Sequence, residues 1–309
     1  MVDLPPDQLR TLDAIATTGT FDAAAQRLGV TPSAVSQRMR ALESAVGQVL
    51  VRRGRPAELT PPGHVLVRHA RHVLLQQADV LAELGLNAPA RGDAPPARPD
   101  LPEITLVVSG DALTTWALPA LVEASAWAQL EVVREDEEHS IGLLRDGTAV
   151  AAVSSVGDAV PGCRATLLGS MRYRPVASPA FVARWFPDGP TPAALAVAPV
   201  LAFDRKDDLQ ERYLRERHRR DRAGGAPPDP PRHHVPASHE FLRAIEHGMG
   251  WGMLPDLQSE TGVRAGRLVG FDDANAVDVP QHWQQWRLHS ASLDRLAAAV
   301  ARAARAALG

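Results

Sequence analysis

Apolar and polar residues along positions 20–43 follow the period of two short helices separated by a break at Gly29. The second segment opens with Thr31, whose hydroxyl makes a good N-cap, and Pro32, which is favoured at the first helical position. One face of this segment is apolar at helical spacing and consists of Val35, Met39 and Leu42. The pattern predicts two helices joined by a tight turn, the second of them packed through that apolar face.

The opposite face of the second predicted helix offers groups that suit phosphates and base edges. This face consists of Thr31, Ser33, Ala34, Ser36, Gln37, Arg38 and Arg40. Downstream, two short β-prone runs flank a turn at residues 53–56 and predict a hairpin. Its tip carries three arginines that would lie along a phosphate backbone, Arg52, Arg53 and Arg55. Residues 1–62 are therefore predicted to form a winged helix-turn-helix domain that places its second helix in the major groove of DNA.

The charge of this segment does not by itself indicate DNA binding. Residues 1–60 contain seven arginines against six acidic residues, a net charge of +1. Affinity would therefore depend on where the charges lie. Alanine-rich helix pairs with a glycine break also occur in proteins that do not bind nucleic acid, so protein contacts remain an alternative use of these helices.

Residues 63–86 predict one long helix, about 35 Å at 1.5 Å per residue, because proline is absent and apolar residues recur at seven-residue spacing. Such a seam predicts a partner helix and a dimer. Packing on the helix's own domain is the alternative. His69 and His72 are three residues apart, and we interpret them as a solvated face rather than a metal pair. Residues 87–102 are rich in Pro, Ala and Gly and predict a hinge.

From Ile104 onward, short apolar runs alternate with helical patterns, which predicts a parallel α/β sheet with helices on its faces. We expect residues 103–309 to form one effector-binding domain with two α/β subdomains and a cleft between them. The subdomains are assigned to residues 103–170 with 268–309, and to 171–267. A Gly- and Pro-rich insert at 219–232 predicts an exposed loop.

Polar residues follow several of the predicted strands, where open α/β sheets bind ligands. Ser109 and Asp111 precede a helix whose first N–H groups suit a carboxylate. The acidic run 135–138, which includes Asp136, and Asp204 follow other strands, and Ser154 ends a further one. A cleft with both carboxylates and a helix N-terminus suits a basic amino acid, although the acidic run taken alone is better explained as a solvated turn.

Composition narrows the class of protein further. The chain has 309 residues, a net charge of −3 and a single cysteine, Cys163, which predicts a reducing compartment and a cysteine that fills core space. Neither a signal peptide nor an apolar run of membrane-spanning length is visible, so we expect a cytoplasmic protein. The signatures GxxxxGK[ST], GxSxG and HExxH are absent. We therefore expect no catalytic residues, no cofactor and no metal, and an enzyme is the least favoured reading.

The chain resembles the LysR-type transcriptional regulators over its whole length. The residues that carry the resemblance are AAQRLGVTPSAVSQRMRALE at 24–43, LTPPG at 59–63, the long helix and the two α/β subdomains. Further segments resemble the lysine-export regulators of that family: SGDALTTWALPAL at 109–121, MRYRPVASPAF at 171–181, FDRKDDLQERYL at 203–214 and GMGWGMLP at 248–255.

The resemblance implies a cytoplasmic regulator of a basic amino-acid exporter gene. It implies a winged helix-turn-helix, a dimerising linker helix, and an effector domain like the two-lobed periplasmic binding proteins. It also implies dimers that assemble into tetramers, binding to double-stranded promoter DNA, contact with RNA polymerase, and L-lysine or L-arginine as effector. Thr31, Ser33, Ser36, Gln37 and Arg38 would face DNA. Ser109, Asp111, Thr114 and Trp116 would line the cleft, with Asp136, Ser154 and Asp204 as further candidates. The alternative is a small-molecule-binding module whose helix-turn-helix contacts proteins.

Overall fold

A computed structural model describes residues 3–86, 101–134, 137–221 and 226–309, and only the backbone of residues 137–140. Most of the predicted hinge, Asp136 and part of the 219–232 insert lie outside the described residues. The amino-terminal part comprises α1 (Pro6–Thr18), α2 (Phe21–Leu28), α3 (Pro32–Val46), β1 (Val51–Arg52), β2 (Glu58–Leu59) and α4 (Pro61–Glu83).

The local signals around Gly29 act as the sequence predicts. Gly29 ends α2 in the left-handed region at φ 63°, which a residue with a Cβ rarely adopts. Thr31 then caps α3 by accepting a hydrogen bond from the backbone N–H of Ala34 at 3.2 Å. The apolar face of α3 is buried against α1 and α2. The wing is confirmed as an antiparallel hairpin in which Val51 pairs with Leu59.

Helix α4 joins this head to the rest of the chain. Thr60 caps it by accepting from the N–H of Gly63 at 3.1 Å. A Cβ built on Gly63 would lie 2.1 Å from the carbonyl oxygen of Leu50, so only glycine lets the helix approach the wing this closely. Farther along α4, Leu75 is 4% exposed and belongs to the core of the carboxy-terminal part. The helix therefore packs on its own chain along one face, while Val80 and Leu84 remain exposed on the part beyond.

The carboxy-terminal part is built on one continuous seven-stranded sheet with the order β10-β6-β11-β5-β3-β4, in which β9 also pairs with β6. Its strands are β3 (Glu103–Val108), β4 (Gln129–Val133), β5 (Ala151–Ser154), β6 (Cys163–Ala177), β9 (Gly252–Pro255), β10 (Val269–Gly270) and β11 (Val277–Trp286). A separate parallel pair is formed by β7 (Val200–Ala202) and β8 (Arg232–His234). The helices are α5 (Gly110–Ala112), a π-helical turn (Leu113–Ala117), α6 (Leu118–Ala124), α7 (Glu137–Asp146), α8 (Pro179–Trp185), α9 (Pro192–Val197), α10 (Leu209–Arg220), α11 (Ser238–Glu246), α12 (Asp256–Arg264) and α13 (Ala291–Leu308).

The sheet is mixed rather than parallel throughout. β3 pairs in parallel with β4 and β5, as predicted, but β6 and β11 run antiparallel to each other. β6 pairs first with β11 and then, from Tyr173 onward, with β9. The predicted boundary between residues 170 and 171 falls inside this strand, so the two predicted subdomains share it.

The alternation of apolar and polar residues did not predict strand β11, because its sequence, VDVPQHWQQW, includes a proline and several glutamines. Gln284 is nevertheless fully buried. Its amide donates to the carbonyls of Val156 and Asp158, and its Oε1 accepts from the N–H of Val160 at 3.1 Å. Burying a polar group costs little folding free energy when all of its hydrogen bonds are made. The glutamine can therefore occupy a core position where an alternating strand pattern would place an apolar residue.

Polar and aromatic contacts hold α4 against the carboxy-terminal part. Arg71 donates through Nε to Asp13 at 2.7 Å and through a terminal nitrogen to the carbonyl of Gly147 at 2.5 Å, so it bridges the head and the sheet domain. The ring of His72 meets that of Trp286 edge to face, with centroids 3.8 Å apart. Asp79 accepts hydrogen bonds from the Ser290 hydroxyl at 2.6 Å and the Ser292 N–H at 3.2 Å, at the start of α13. His72 is thus part of a packed contact, and our interpretation of it as a solvated residue is wrong.

The described helices include none with the length and apolarity needed to cross a bilayer.

We expect His72 to make the protein less stable in acid. Burial, with Arg68 and His69 nearby, lowers the pKa of His72 from 6.5 to about 4. Between those two pH values the unfolded chain binds a proton that the folded chain does not, so stability falls as pH falls. His72→Phe keeps a ring against Trp286 and should flatten this fall in thermal melts at pH 7, 6 and 5. His64→Phe on the same helix is the control and should keep the wild-type slope. Equal slopes for wild type and His72→Phe would contradict the assignment.

Candidate functional site

The polar face of α3 forms the first candidate site, and the fold brings all of its predicted residues to one side. Thr31, Ser33, Gln37 and Arg40 are exposed, whereas Ala34, Ser36 and Arg38 are half-buried. Arg38 also lies 3.3 Å from a carboxylate oxygen of Asp7 on α1. This ion pair orients the guanidinium at the edge of the face. The surface is therefore mostly neutral, with hydroxyl and amide groups that suit hydrogen bonds to a duplex.

The wing supplies the positive charge that α3 lacks. Arg52, Arg53 and Arg55 are all exposed at or beside its tip. The guanidinium of Arg53 lies 4.9 Å from the centroid of the Phe21 ring, a cation–π contact that ties the wing to the start of α2. Because α2 and α3 share one core, the arginines are held at a fixed place relative to the polar face.

The second candidate site is a cavity of about 790 Å³ at the ends of several strands. Segments from across the sheet domain line it: the β3–α5 junction, β6, the loop after β7, α11 and β11. Of the predicted effector residues, Ser109, Asp111 and Asp204 line the cavity. Lys206 and Asp207, from the polar run that begins at Asp204, also line it, together with polar residues that we did not predict, namely Arg134, Tyr173, Arg212, Gln258 and Gln281.

Three predicted residues lie elsewhere. Thr114 is exposed, and its hydroxyl donates to the carbonyl of Gly110 within the helix, at 2.8 Å. Trp116 is 2% exposed and belongs to the core behind the cavity. Ser154 is buried, and its neighbour Ser155 lines the cavity instead. Asp136 is outside the described residues, so its placement stays a prediction.

Asp111 is the most unusual group in the cavity. One of its oxygens accepts a hydrogen bond from the Tyr173 hydroxyl at 2.8 Å, and the other lies 3.5 Å from the Ser238 hydroxyl. Among the described residues, no arginine or lysine forms an ion pair with it. Burial raises its pKa, the bond from Tyr173 opposes this, and the charge of Asp207 adds to the rise. The fold therefore holds a carboxylate that lacks a positive partner.

The loop after β7 is built by its own carboxylates. Asp204 accepts from the N–H groups of Lys206 at 2.7 Å and Asp207 at 3.1 Å. Asp207 in turn accepts from the N–H of Phe203 at 2.8 Å. Burial raises the pKa of Asp207, while its bonds to backbone N–H groups oppose the rise. Asp204, which we selected as a candidate ligand group, thus also fixes the conformation of the cavity wall.

The lining of the cavity carries both signs of charge. Of the residues that the structure describes, four carboxylates and three cations contribute to it: Asp111, Asp204, Asp207 and Asp208 against Arg134, Lys206 and Arg212. Val279, Met253 and Phe241 provide apolar wall between the polar groups. Such a cavity suits a small molecule that carries both charges and an excess of positive charge.

Comparison with known proteins assigns both parts of the chain to one family. The family described as "Bacterial regulatory helix-turn-helix protein, lysR family" matches residues 6–64, and the "LysR substrate binding domain" matches residues 99–309. The HTH-type transcriptional regulator LysG of Mycobacterium tuberculosis is 42% identical over 306 residues, which are 98% of this chain and 95% of that protein.

Solved structures give the same result. The crystal structure of ArgP from Mycobacterium tuberculosis is 40% identical, covers 98% of both chains and superposes with a TM-score of 0.80. Full-length LysG from Corynebacterium glutamicum with bound effector Arg is 37% identical, covers 99% of both chains and has a TM-score of 0.72.

Replacing Asp111 by Asn should stabilise the ligand-free protein at neutral pH. A carboxyl group whose pKa is raised by folding opposes folding while it is ionised, and this opposition disappears as pH falls below its unfolded-state value. The amide keeps an acceptor for Tyr173. A gain of about 1 kcal/mol corresponds to about 2–4 °C in Tm for a protein of this size. Melts at pH 7 should show the gain, and melts near pH 4 should show it shrinking. Exposed Asp188→Asn is the matched control. A lower Tm for Asp111→Asn would refute the assignment.

Proposed function

Because the chain belongs to the LysR family of bacterial transcriptional regulators, we propose that it binds promoter DNA and responds to L-lysine or L-arginine. Its target on this proposal is a gene for the export of basic amino acids. The observation that carries the proposal is Asp111, a half-buried carboxylate that forms no ion pair with the described residues, in a cavity lined by groups of both charges. The similarity to an arginine-bound relative supports the same ligand class.

The charge of the cavity fits this ligand class. Its lining carries one more carboxylate than cation, and a basic amino acid has a net charge of +1. The α-ammonium group pairs with Asp111, which already has two hydroxyl donors but no positive partner. The α-carboxylate takes the cationic side of the cavity, where Arg134, Lys206 and Arg212 lie. Asp204 shapes the loop that closes over the ligand, and Ser109 caps the helix at the other wall.

The DNA-reading surface consists of the polar face of α3 and the wing. Gln37 is exposed at the centre of the face and can form a bidentate pair with an adenine edge. Arg52 and Arg55 contact phosphates and give affinity without sequence information. Thr31, Ser33, Ala34, Ser36, Arg38, Arg40 and Arg53 complete the surface.

Ligand binding reaches DNA through α4. The cavity is lined by segments of both predicted subdomains, so a bound amino acid favours their closed arrangement by its higher affinity for it. Helix α4 follows, because Arg71 and Asp79 hold it to the sheet domain. Arg71 also contacts Asp13 of the head, and the DNA-reading surface moves with it.

The exposed apolar face of α4 is the proposed dimer contact. Val65, Val80 and Leu84 each expose more than half of their surface in the single chain. Pairing of two copies along this face would bury them and place two reading heads on two half-sites. Assembly of dimers into a tetramer, contact with RNA polymerase on the promoter and action in the cytoplasm complete the proposal.

Calorimetric titration of the purified protein with L-arginine and L-lysine tests the effector. We expect saturable binding by wild type and a loss of at least about 100-fold in affinity for Asp111→Asn, since a buried charge pair is lost. Affinity should also fall at acid pH, beginning above the ordinary pKa of aspartate, because protonation removes the negative charge. Exposed Asp188→Asn should bind like wild type. Equal affinities for Asp111→Asn and wild type would place the effector elsewhere.

Gel shifts with the upstream region of the chain's own gene and with random duplex test the DNA-reading surface. Gln37→Ala should weaken specific binding by about 5- to 100-fold and leave non-specific binding nearly unchanged, because only base contacts carry sequence information. Arg55→Ala should weaken both equally. If wild type shows no preference for any fragment, the helix-turn-helix serves protein contacts instead, which is the competing function.

A further inference from the structure

Gln281 is a buried side chain in the cavity whose carbonyl oxygen has no partner. The residue is 3% exposed, and among the described residues its Oε1 has no hydrogen-bond donor. Its Nε2 lies near two backbone carbonyls of its own strand, 3.3 Å from that of Pro280 and 3.5 Å from that of Val279. The amide nitrogen is therefore directed at backbone acceptors, and the buried oxygen is the group left without a donor among the described residues.

The strand register places Gln281 at a distance from Tyr173 along the cavity wall. Val277 pairs with Tyr173 and Gln281 pairs with Gly169, four residues farther along β6, which is about 13 Å at 3.3 Å per residue. Val277, Val279 and Gln281 share one face because side chains alternate along a strand. Along this wall the order is thus Tyr173 with its partner Asp111, then Val279, then Gln281 with its unpaired oxygen.

Gln281 lies at the border between the part of β11 that helix α13 covers and the part that lines the cavity. Gln285, on the same face of the strand, donates to Asp294 of α13 at 3.2 Å, so this stretch of the face is covered by the helix. Val279 lines the open cavity instead. The ladder with β6 also shifts register between Gln281 and His282. Gln281 therefore lies at the border between the cavity and the part of this face that the helix covers, and its side chain is buried although the residue lines the cavity.

We propose that Gln281 determines specificity by accepting a hydrogen bond from the cationic end of the effector's side chain. This inference rests on the proposed function, because it assigns the second end of the same ligand. With the α-ammonium group at Asp111, an extended lysine or arginine carries its aliphatic stem past Val279 and its terminal N–H groups to Gln281. An acceptor without a donor is unfavourable when buried, so the cavity selects a ligand that has donors at both ends of an apolar stem.

Calorimetry with L-arginine and L-lysine on the full-length chain tests the inference. Gln281→Met removes the acceptor and keeps the shape of the side chain, and it should lower affinity by about 10- to 100-fold, the value of a hydrogen bond to a charged group. Gln281→Glu restores an acceptor and should bind at least as tightly as wild type. Ligand-free melts should show both variants folded, with Gln281→Met no less stable than wild type because an unpaired buried polar group is gone.

Gln258→Met is the matched control. Gln258 lines the same cavity, but its amide already donates to the carbonyl of Ser238 at 3.0 Å. Its loss should cost clearly less affinity than that of Gln281. The inference is overturned if Gln281→Met binds like wild type, if Gln281→Glu is as weak as Gln281→Met, or if Gln258→Met loses as much. If wild type binds neither amino acid, both the proposed function and the assignment of Gln281 fail. If wild type binds but the variants do not differ from it, only the assignment of Gln281 fails.

Discussion

The antiparallel pairing of β6 with β11 is the interaction on which the rest of this molecule depends. It runs from Tyr173 opposite Val277 to Cys163 opposite Trp286. At one end it is extended by β5 and the parallel strands beyond, and at the other by β9 and β10. These two strands are therefore the covalent and hydrogen-bonded bridge between the two halves of the sheet domain, and they also form a wall of the cavity. A ligand in this cavity would therefore contact the strands that join the two halves.

The part of the fold that local signals determine could be read from the sequence. A glycine in the left-handed region, a threonine cap and a proline at the first helical position each act within a few residues, and Gly29, Thr31 and Pro32 do so in the structure. Long-range features could not be read in this way. β11 contains Pro280 and buried glutamines, and its burial depends on partners more than a hundred residues away, such as Val156 and Val160. Asp111 was visible because it follows a strand, whereas Tyr173 and Gln281 reach the cavity only through strand pairing.

The cavity shows a conflict between stability and binding. Asp111 and Asp207 are both half-buried carboxylates, and desolvation raises the pKa of each; the charge of Asp207 raises that of Asp111 further, and the charge of Glu211 raises that of Asp207. Hydroxyl and backbone donors reduce the cost without cancelling the charge. An arrangement of this kind is unfavourable in the empty protein and becomes favourable when a cation enters. Because the empty cavity leaves this negative charge only partly neutralised, pairing with a cation relieves the cost, and this gain adds to the binding free energy.

The contact between Gly63 and Leu50 has a mechanical consequence. Because there is no room for a Cβ between helix and wing, the first turn of α4 packs directly on the backbone of the hairpin and not on side chains that could move aside. Such a contact between two backbone segments leaves very little room for rotation, so the head does not turn freely about the helix. A rotation imposed at the far end of α4 would therefore also turn the head, with the polar face of α3 and the wing.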